Sequence, residues 1–217
     1  MGVWSRASNG HPRFIDQDKA LTITYFGYGS LVNRQTLSPE STAVPGELQG
    51  WVREWRVTGK VAGIGTGACA LTVRRQTGSA IRGVMVKEPA SGLAALTKRE
   101  IRYDRIDGIA PEFRPERPED GVSGDAFLYQ AKSRHYDWGS EDHPILQSYV
   151  DCVLAGFFDL WGESGIDHFL ATTDGWHAPI LADRADPRYA RSVSLDRNLA
   201  ALIDEKLAQI GVGYVGA

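Results

Sequence analysis

Two short segments carry residue types that could do chemistry. One is the turn Tyr25-Phe26-Gly27-Tyr28-Gly29-Ser30-Leu31. The other is the carboxylate of Glu100, at the end of an apolar-patterned stretch, Ser91–Ile101. The turn follows the alternating run Leu21–Tyr25, which suits a half-buried strand, and precedes a short polar, helix-like stretch from Asn33 to Leu37. Backbone N–H groups at such a junction are unpaired and can hold an anion or a developing oxyanion. Glycine there lets a ligand approach without a Cβ in the way. On its own the segment reads equally as a cradle of this kind or as a simple tight turn. Glu100 follows Leu93 and Leu96 at spacings that put it on the apolar face of the helix expected over Ser91–Ile101. It also falls in the last turn, where the helix dipole disfavours negative charge. Burial and dipole both raise a carboxyl pKa, which suits a general acid/base. The bland alternative is a glutamate that reaches outward or pairs with Arg102 or Arg105.

Other chemistry-bearing residues make weaker patterns. His11, His135, His143, His168 and His177 show no metal-ligand spacing, so no metal site is expected. Cys69 and Cys152 interrupt or follow apolar runs and read as buried free thiols rather than a disulfide. Gly63, Gly65 and Gly67 imitate part of a dinucleotide fingerprint, but strand-like sequence follows where a helix is required. Ser30 lacks the G-x-S-x-G elbow of a hydrolase nucleophile.

Certain elements must position these residues. Strands are expected at Trp51–Val57, Ala68–Arg74, Ile81–Lys87 and Asp125–Lys132, joined by short links rather than alternating with helices, which points to α+β. Pro111–Asp120 reads as a surface loop. Gln147–Trp161 reads as an amphipathic helix, and Leu195–Ile210 as a last helix stopped by Gly211. Residues 1–20 read as a loosely held extension lacking the apolar core of a signal peptide, and 21–217 as a single domain. A hydrophobic fraction of 42% with 24% charged residues belongs to a soluble globular chain, and no run approaches the ~20 apolar residues of a membrane span. The net charge of −3 with no basic stripe argues against nucleic-acid binding. A cytoplasmic protein is expected, with its oligomeric state unreadable.

Taken together, three segments resemble the gamma-glutamylcyclotransferase-like family. Tyr25–Leu31 resembles its Y-G-S-[LN] turn. Leu96-Thr97-Lys98-Arg99-Glu100, with Tyr103 behind it, resembles its L-D-x-x-E segment. Gln147-Ser148-Tyr149 followed by Leu154-Ala155-Gly156 resembles its S-x-x-Y helix. Thr172–Arg191, with Trp176 and Asp183-Arg184, looks like the tail of bacterial members. Thr97 departs from the usual Asp, and Tyr103 follows Glu100 more closely than in some members.

The resemblance implies a small mixed, partly closed β-barrel flanked by helices. It also implies cofactor-independent cyclisation of a gamma-glutamyl group to 5-oxoproline, with Glu100 as general acid/base. Tyr25, Phe26, Gly27, Tyr28, Gly29, Ser30, Leu31, Tyr103 and Tyr149 would then contact the small-molecule substrate. A protein of the same fold that binds a glutamyl-like ligand without turnover is the alternative.

Overall fold

The computed structural model describes residues 4–6, 12–14, 21–60, 67–122 and 124–216. In chain order the elements are β1 (Trp4–Arg6), β2 (Pro12–Phe14), β3 (Thr22–Gly27), β4 (Thr42–Lys60), β5 (Gly67–Pro89), α1 (Leu93–Arg99), β6 (Tyr103–Asp107), β7 (Phe113–Pro115), β8 (Phe127–Ala131), β9 (Ile145–Leu146), α2 (Gln147–Trp161), α3 (Glu163–Ala171), β10 (Thr173–Asp174), β11 (Ile180–Leu181), α4 (Arg197–Gln209) and β12 (Tyr214–Val215). The α+β expectation holds. Most of the expected N-terminal extension, and Gly63 and Gly65, lie outside the described residues. Within that extension β1 and β2 pair antiparallel.

One mixed sheet dominates, with the order β12-β11-β9-β5-β3-β8-β6, and β4 carries β7 and β10 on the far side of β5. Its spine is the antiparallel pair β4–β5, running from Thr42↔Lys87 to Lys60↔Gly67. The strands expected at Ala68–Arg74 and Ile81–Lys87 are one strand. The turn residues between them do not reverse the chain. The register passes from Gln49↔Ala80 to Trp51↔Arg75, so residues 76–79 bulge out opposite Gly50, whose φ is +81°.

The hydrogen-bonded path is open rather than closed into a barrel. Side chains bridge part of the opening. Tyr103 Oη donates to Leu71 O at 2.7 Å, Gln130 Nε2 donates to Val73 O at 2.8 Å, and Ala131 N donates to Thr72 Oγ1 at 2.9 Å. The β6–β8 pair is thereby folded across the free edge of β5.

The core draws on residues from Tyr25 to Val212. α2 has the expected bounds but is not amphipathic, because nearly all its positions from Gln147 to Phe157 are buried. The sheet, the turn after β3, α3 and α4 surround it. The proline-rich stretch 111–120 is not a plain loop: β7 pairs with Gly46–Leu48 of β4 and buries Phe113. α4 stops at Gly211, whose φ of +72° favours glycine.

Candidate active site

β3 delivers the chain into the turn Tyr28–Leu31, which continues as two short 3-10 turns, Ser30–Val32 and Arg34–Thr36. Gly27 allows the reversal, since a Cβ there would lie 2.8 Å from Leu31 Cβ. Asn33, fully buried, fastens the turn to α2. Its Nδ2 donates to Cys152 O at 2.8 Å and its Oδ1 accepts from Gln35 N at 3.0 Å. The approach is so close that a Cβ on Gly156 would sit 2.6 Å from Asn33 N. Within the turn, the Gly29 and Ser30 carbonyls accept from Val32 N and Asn33 N. The N–H groups of Gly29, Ser30 and Leu31 find no acceptor among the described residues.

Glu100 faces these amides from the C-terminal cap of α1, with φ −98° and ψ 31°. Its side chain is only 14% exposed, and Arg99 Nε lies 3.4 Å from its Oε1. Burial raises its pKa above the ordinary carboxylate value, while Arg99 and Arg191 oppose that rise. Arg99 also ties the carboxylate to the turn, donating to Thr36 O at 2.9 Å and Ser30 Oγ at 3.0 Å. Thr97 is exposed.

Glu100 borders two cavities. An inner recess of about 40 Å³ is walled by Tyr28, Tyr103, Tyr129 and Tyr149, with Phe26, Gly29, Ser30 and Leu31. An outer cavity of about 370 Å³ shares Ser30, Glu100, Tyr103 and Tyr149 with it, and adds Arg99, Arg102, Arg188 and Arg191. Burial holds the hydroxyls of Tyr28, Tyr103 and Tyr149 well above their usual pKa, so all three are neutral phenols. Tyr28 spends its proton on Tyr129 O at 2.7 Å, and Tyr103 on Leu71 O. Tyr149 Oη faces the cradle, 3.2 Å from where a Cβ on Gly29 would stand, and finds no acceptor among the described residues. Its ring packs on Tyr189 at 4.8 Å and on Trp55 at 5.6 Å.

Of the residues singled out from the sequence, Phe26, Tyr28, Gly29, Ser30, Leu31, Glu100, Tyr103 and Tyr149 come together here. Gly27 shapes the turn from beneath. Tyr25 lies on the other side, against a separate cavity. Cys69 and Cys152 are buried free thiols, as expected. Among the described residues no group of metal-binding side chains is found.

Sequence reasoning missed the arginines. Arg53 is fully buried, yet no carboxylate pairs with it among the described residues. Its guanidinium lies between the rings of Phe157 and Phe169, at 5.0 and 4.9 Å, and burial lowers its pKa to about 9. It donates to Thr172 Oγ1, to Arg82 O and, through Nε at 2.8 Å, to Tyr28 O. In a trans peptide C=O and N–H point opposite ways. Holding the Tyr28 carbonyl on one side therefore turns the Gly29 N–H to the other.

The segment 183–191 was also missed as a wall of the site. Asp183, fully buried, accepts from Ser148 N at 2.8 Å and Ser148 Oγ at 2.6 Å at the start of α2, and from Arg188 N at 2.9 Å. Arg184 bridges Asp151 of α2 and Asp204 of α4. These ties hold Tyr189 and Arg191 over the outer cavity. The resemblance had singled out Asp183-Arg184 without a role, and the partners that give them one are distant in sequence.

No protein-family profile matches the chain, and no curated protein sequence matches it. Solved structures do. An uncharacterized protein from Homo sapiens superposes with a TM-score of 0.53 at 17% identity, covering 84% of this chain and 98% of its own. A gamma-glutamyl cyclotransferase superposes with a TM-score of 0.52 at 17% identity, covering 85% of this chain and 99% of its own. At that identity the likeness is one of fold. The chain's fold is that of the gamma-glutamyl cyclotransferase-like proteins.

Proposed function

We propose that this protein cyclises a gamma-glutamyl group to 5-oxoproline and releases the attached amine, with Glu100 as the proton carrier. One observation carries the reading. A buried carboxylate with a raised pKa shares a recess of about 40 Å³ with the Tyr149 hydroxyl and three backbone amides that find no acceptor among the described residues.

The α-amine of the glutamyl group attacks its γ-carbonyl carbon, forming a C–N bond and closing a five-membered ring. The amine proton passes to Glu100, and negative charge develops on the carbonyl oxygen. The turn amides and Tyr149 Oη suit that oxygen, and one such donor is worth about 2.7–4 kcal/mol to a transition state. The γ-amide C–N bond then breaks, and Glu100 returns the proton to the leaving nitrogen. The nucleophile belongs to the substrate, so positioning supplies much of the rate, about 7–11 kcal/mol in well-oriented intramolecular reactions.

The outer cavity would hold the leaving group. Its charged lining is one glutamate and the four guanidiniums Arg99, Arg102, Arg188 and Arg191. That surface favours a leaving amine that carries a carboxylate, such as an amino acid or short peptide, over a polyamine. Mass-spectrometric detection of 5-oxoproline from a panel of gamma-glutamyl amino acids, glutathione and gamma-glutamylamines tests the reading. Product from wild type that disappears with Glu100→Gln supports it, and the absence of product from every compound sinks it.

A further inference from the structure

A third cavity, of about 290 Å³, lies behind the cradle and does not touch Glu100. Tyr25 and Glu88 line it from one face of the β3–β5 pair, where Tyr25 opposes Val86 and Ile23 opposes Glu88. Both are nearly enclosed by protein, at 2% and 6% exposure. Neither the Glu88 carboxylate nor the Tyr25 hydroxyl has a hydrogen bond or ion pair among the described residues. Burial raises the pKa of Glu88, and only Arg99 opposes it. The carboxylate therefore lines the cavity with no protein partner among the described residues, and the reaction proposed above gives it no task. Gly92 keeps the space beside it open, since a Cβ there would stand 2.9 Å from Glu88 Oε1.

Arg99 and Arg191 form the remaining charged wall, shared with the outer cavity. The cavity therefore offers a carboxylate and a phenol together with two guanidiniums. A simple amine would meet the arginines, a simple anion would meet Glu88, and a metal ion would find one carboxylate among cations. A zwitterion satisfies both kinds of group. We propose that this cavity binds a free α-amino acid, with its ammonium on Glu88 and Tyr25 and its carboxylate on Arg191. The volume sits near the small end of ligand pockets, about 300 Å³ and up, which suits a small side chain. The assignment stands on the cavity alone and does not depend on the proposed cyclisation.

The test is an amide NMR titration of the full chain with L-alanine, ethylamine and propionate. L-Alanine should give saturable shifts at Tyr25, Glu88 and Gly92, and the two half-ligands should bind at least about tenfold more weakly, as expected for loss of a charge-assisted contact. Glu88→Gln should weaken L-alanine by about tenfold or more and leave both the melting temperature and any 5-oxoproline formation unchanged. Should Glu88→Gln fail to fold, Gly92→Ala crowds the same carboxylate from a helical backbone position and should weaken L-alanine likewise. Glu100→Gln should bind L-alanine as wild type does, which separates this site from the fate of the proposed reaction. Absence of saturable shifts, shifts confined to Gly29 and Tyr149, or undiminished binding by the folded Glu88 or Gly92 variant would overturn the assignment.

Discussion

The inner recess and the outer cavity share Glu100 but are built from opposite materials. The recess is walled by tyrosines and backbone amides, and a buried cation, Arg53, stands behind the Tyr28 carbonyl. The outer cavity is walled by guanidiniums. Desolvation on the inner side lifts the Glu100 pKa, and the arginines on the outer side restrain it. The contrast teaches that one carboxylate can be tuned from two directions. In the proposed reaction the dry side would suit it to carry a proton, with the arginines opposing that rise from the other side.

The largest effect should come from the carboxylate common to both. Glu100→Gln keeps the shape of the side chain but cannot carry a proton, and 5-oxoproline formation should fall by about 10²–10⁴-fold. A base must be deprotonated, so wild-type kcat/KM should fall as pH drops through the Glu100 pKa, which lies above the ordinary carboxylate range. A pH–rate profile that keeps the same acid limb in Glu100→Gln would transfer the role to another group.

Next comes the cation behind the recess. Arg53→Met leaves the Tyr28 carbonyl unheld, so the Gly29 amide loses its fixed aim. Turnover should fall between about ten- and a hundredfold, part of the worth of an oxyanion donor, and Arg53→Lys should recover part of it. A purely structural arginine would instead lower the melting temperature while the folded fraction kept its kcat.

The cradle and carboxylate were legible because their signals are local. Glycines follow an alternating strand, and Glu100 repeats the spacing of Leu93 and Leu96. The helix at Gln147–Trp161 was legible in its bounds, but its burial was not, since what covers it comes from Asn33 and Asp183, far away in sequence. Residues 76–79 misled for a related reason: their turn chemistry is real, but the ladder to β4 resumes beyond them and makes a bulge of what reads as a break. Arg53 sits inside an expected strand, and nothing nearby in sequence explains a buried cation.

The outer side of the comparison is tested by charge reversal. Arg191→Glu inverts one guanidinium of the wall, and kcat/KM for a carboxylate-bearing leaving group should fall by about tenfold, the scale of one partly exposed charge contact. A gamma-glutamylamine with a cationic leaving group should lose nothing or gain. An equal loss on both substrates would mean that the arginines serve the carboxylate of Glu100 rather than the leaving group.

The smallest change probes the recess without touching charge. Tyr149→Phe removes one hydroxyl and keeps the ring that packs on Trp55 and Tyr189. The hydroxyl has no acceptor among the described residues to leave unpaired, so the fold should not register its loss. If Tyr149 Oη serves the developing oxyanion beside the turn amides, turnover should fall by roughly fivefold, the worth of about 1 kcal/mol for one hydrogen bond among several. The loss should appear in kcat with KM little changed, because the contact strengthens only as charge develops. A rise in KM at constant kcat would place the hydroxyl on the bound glutamyl group instead, and leave the backbone amides alone with the oxyanion.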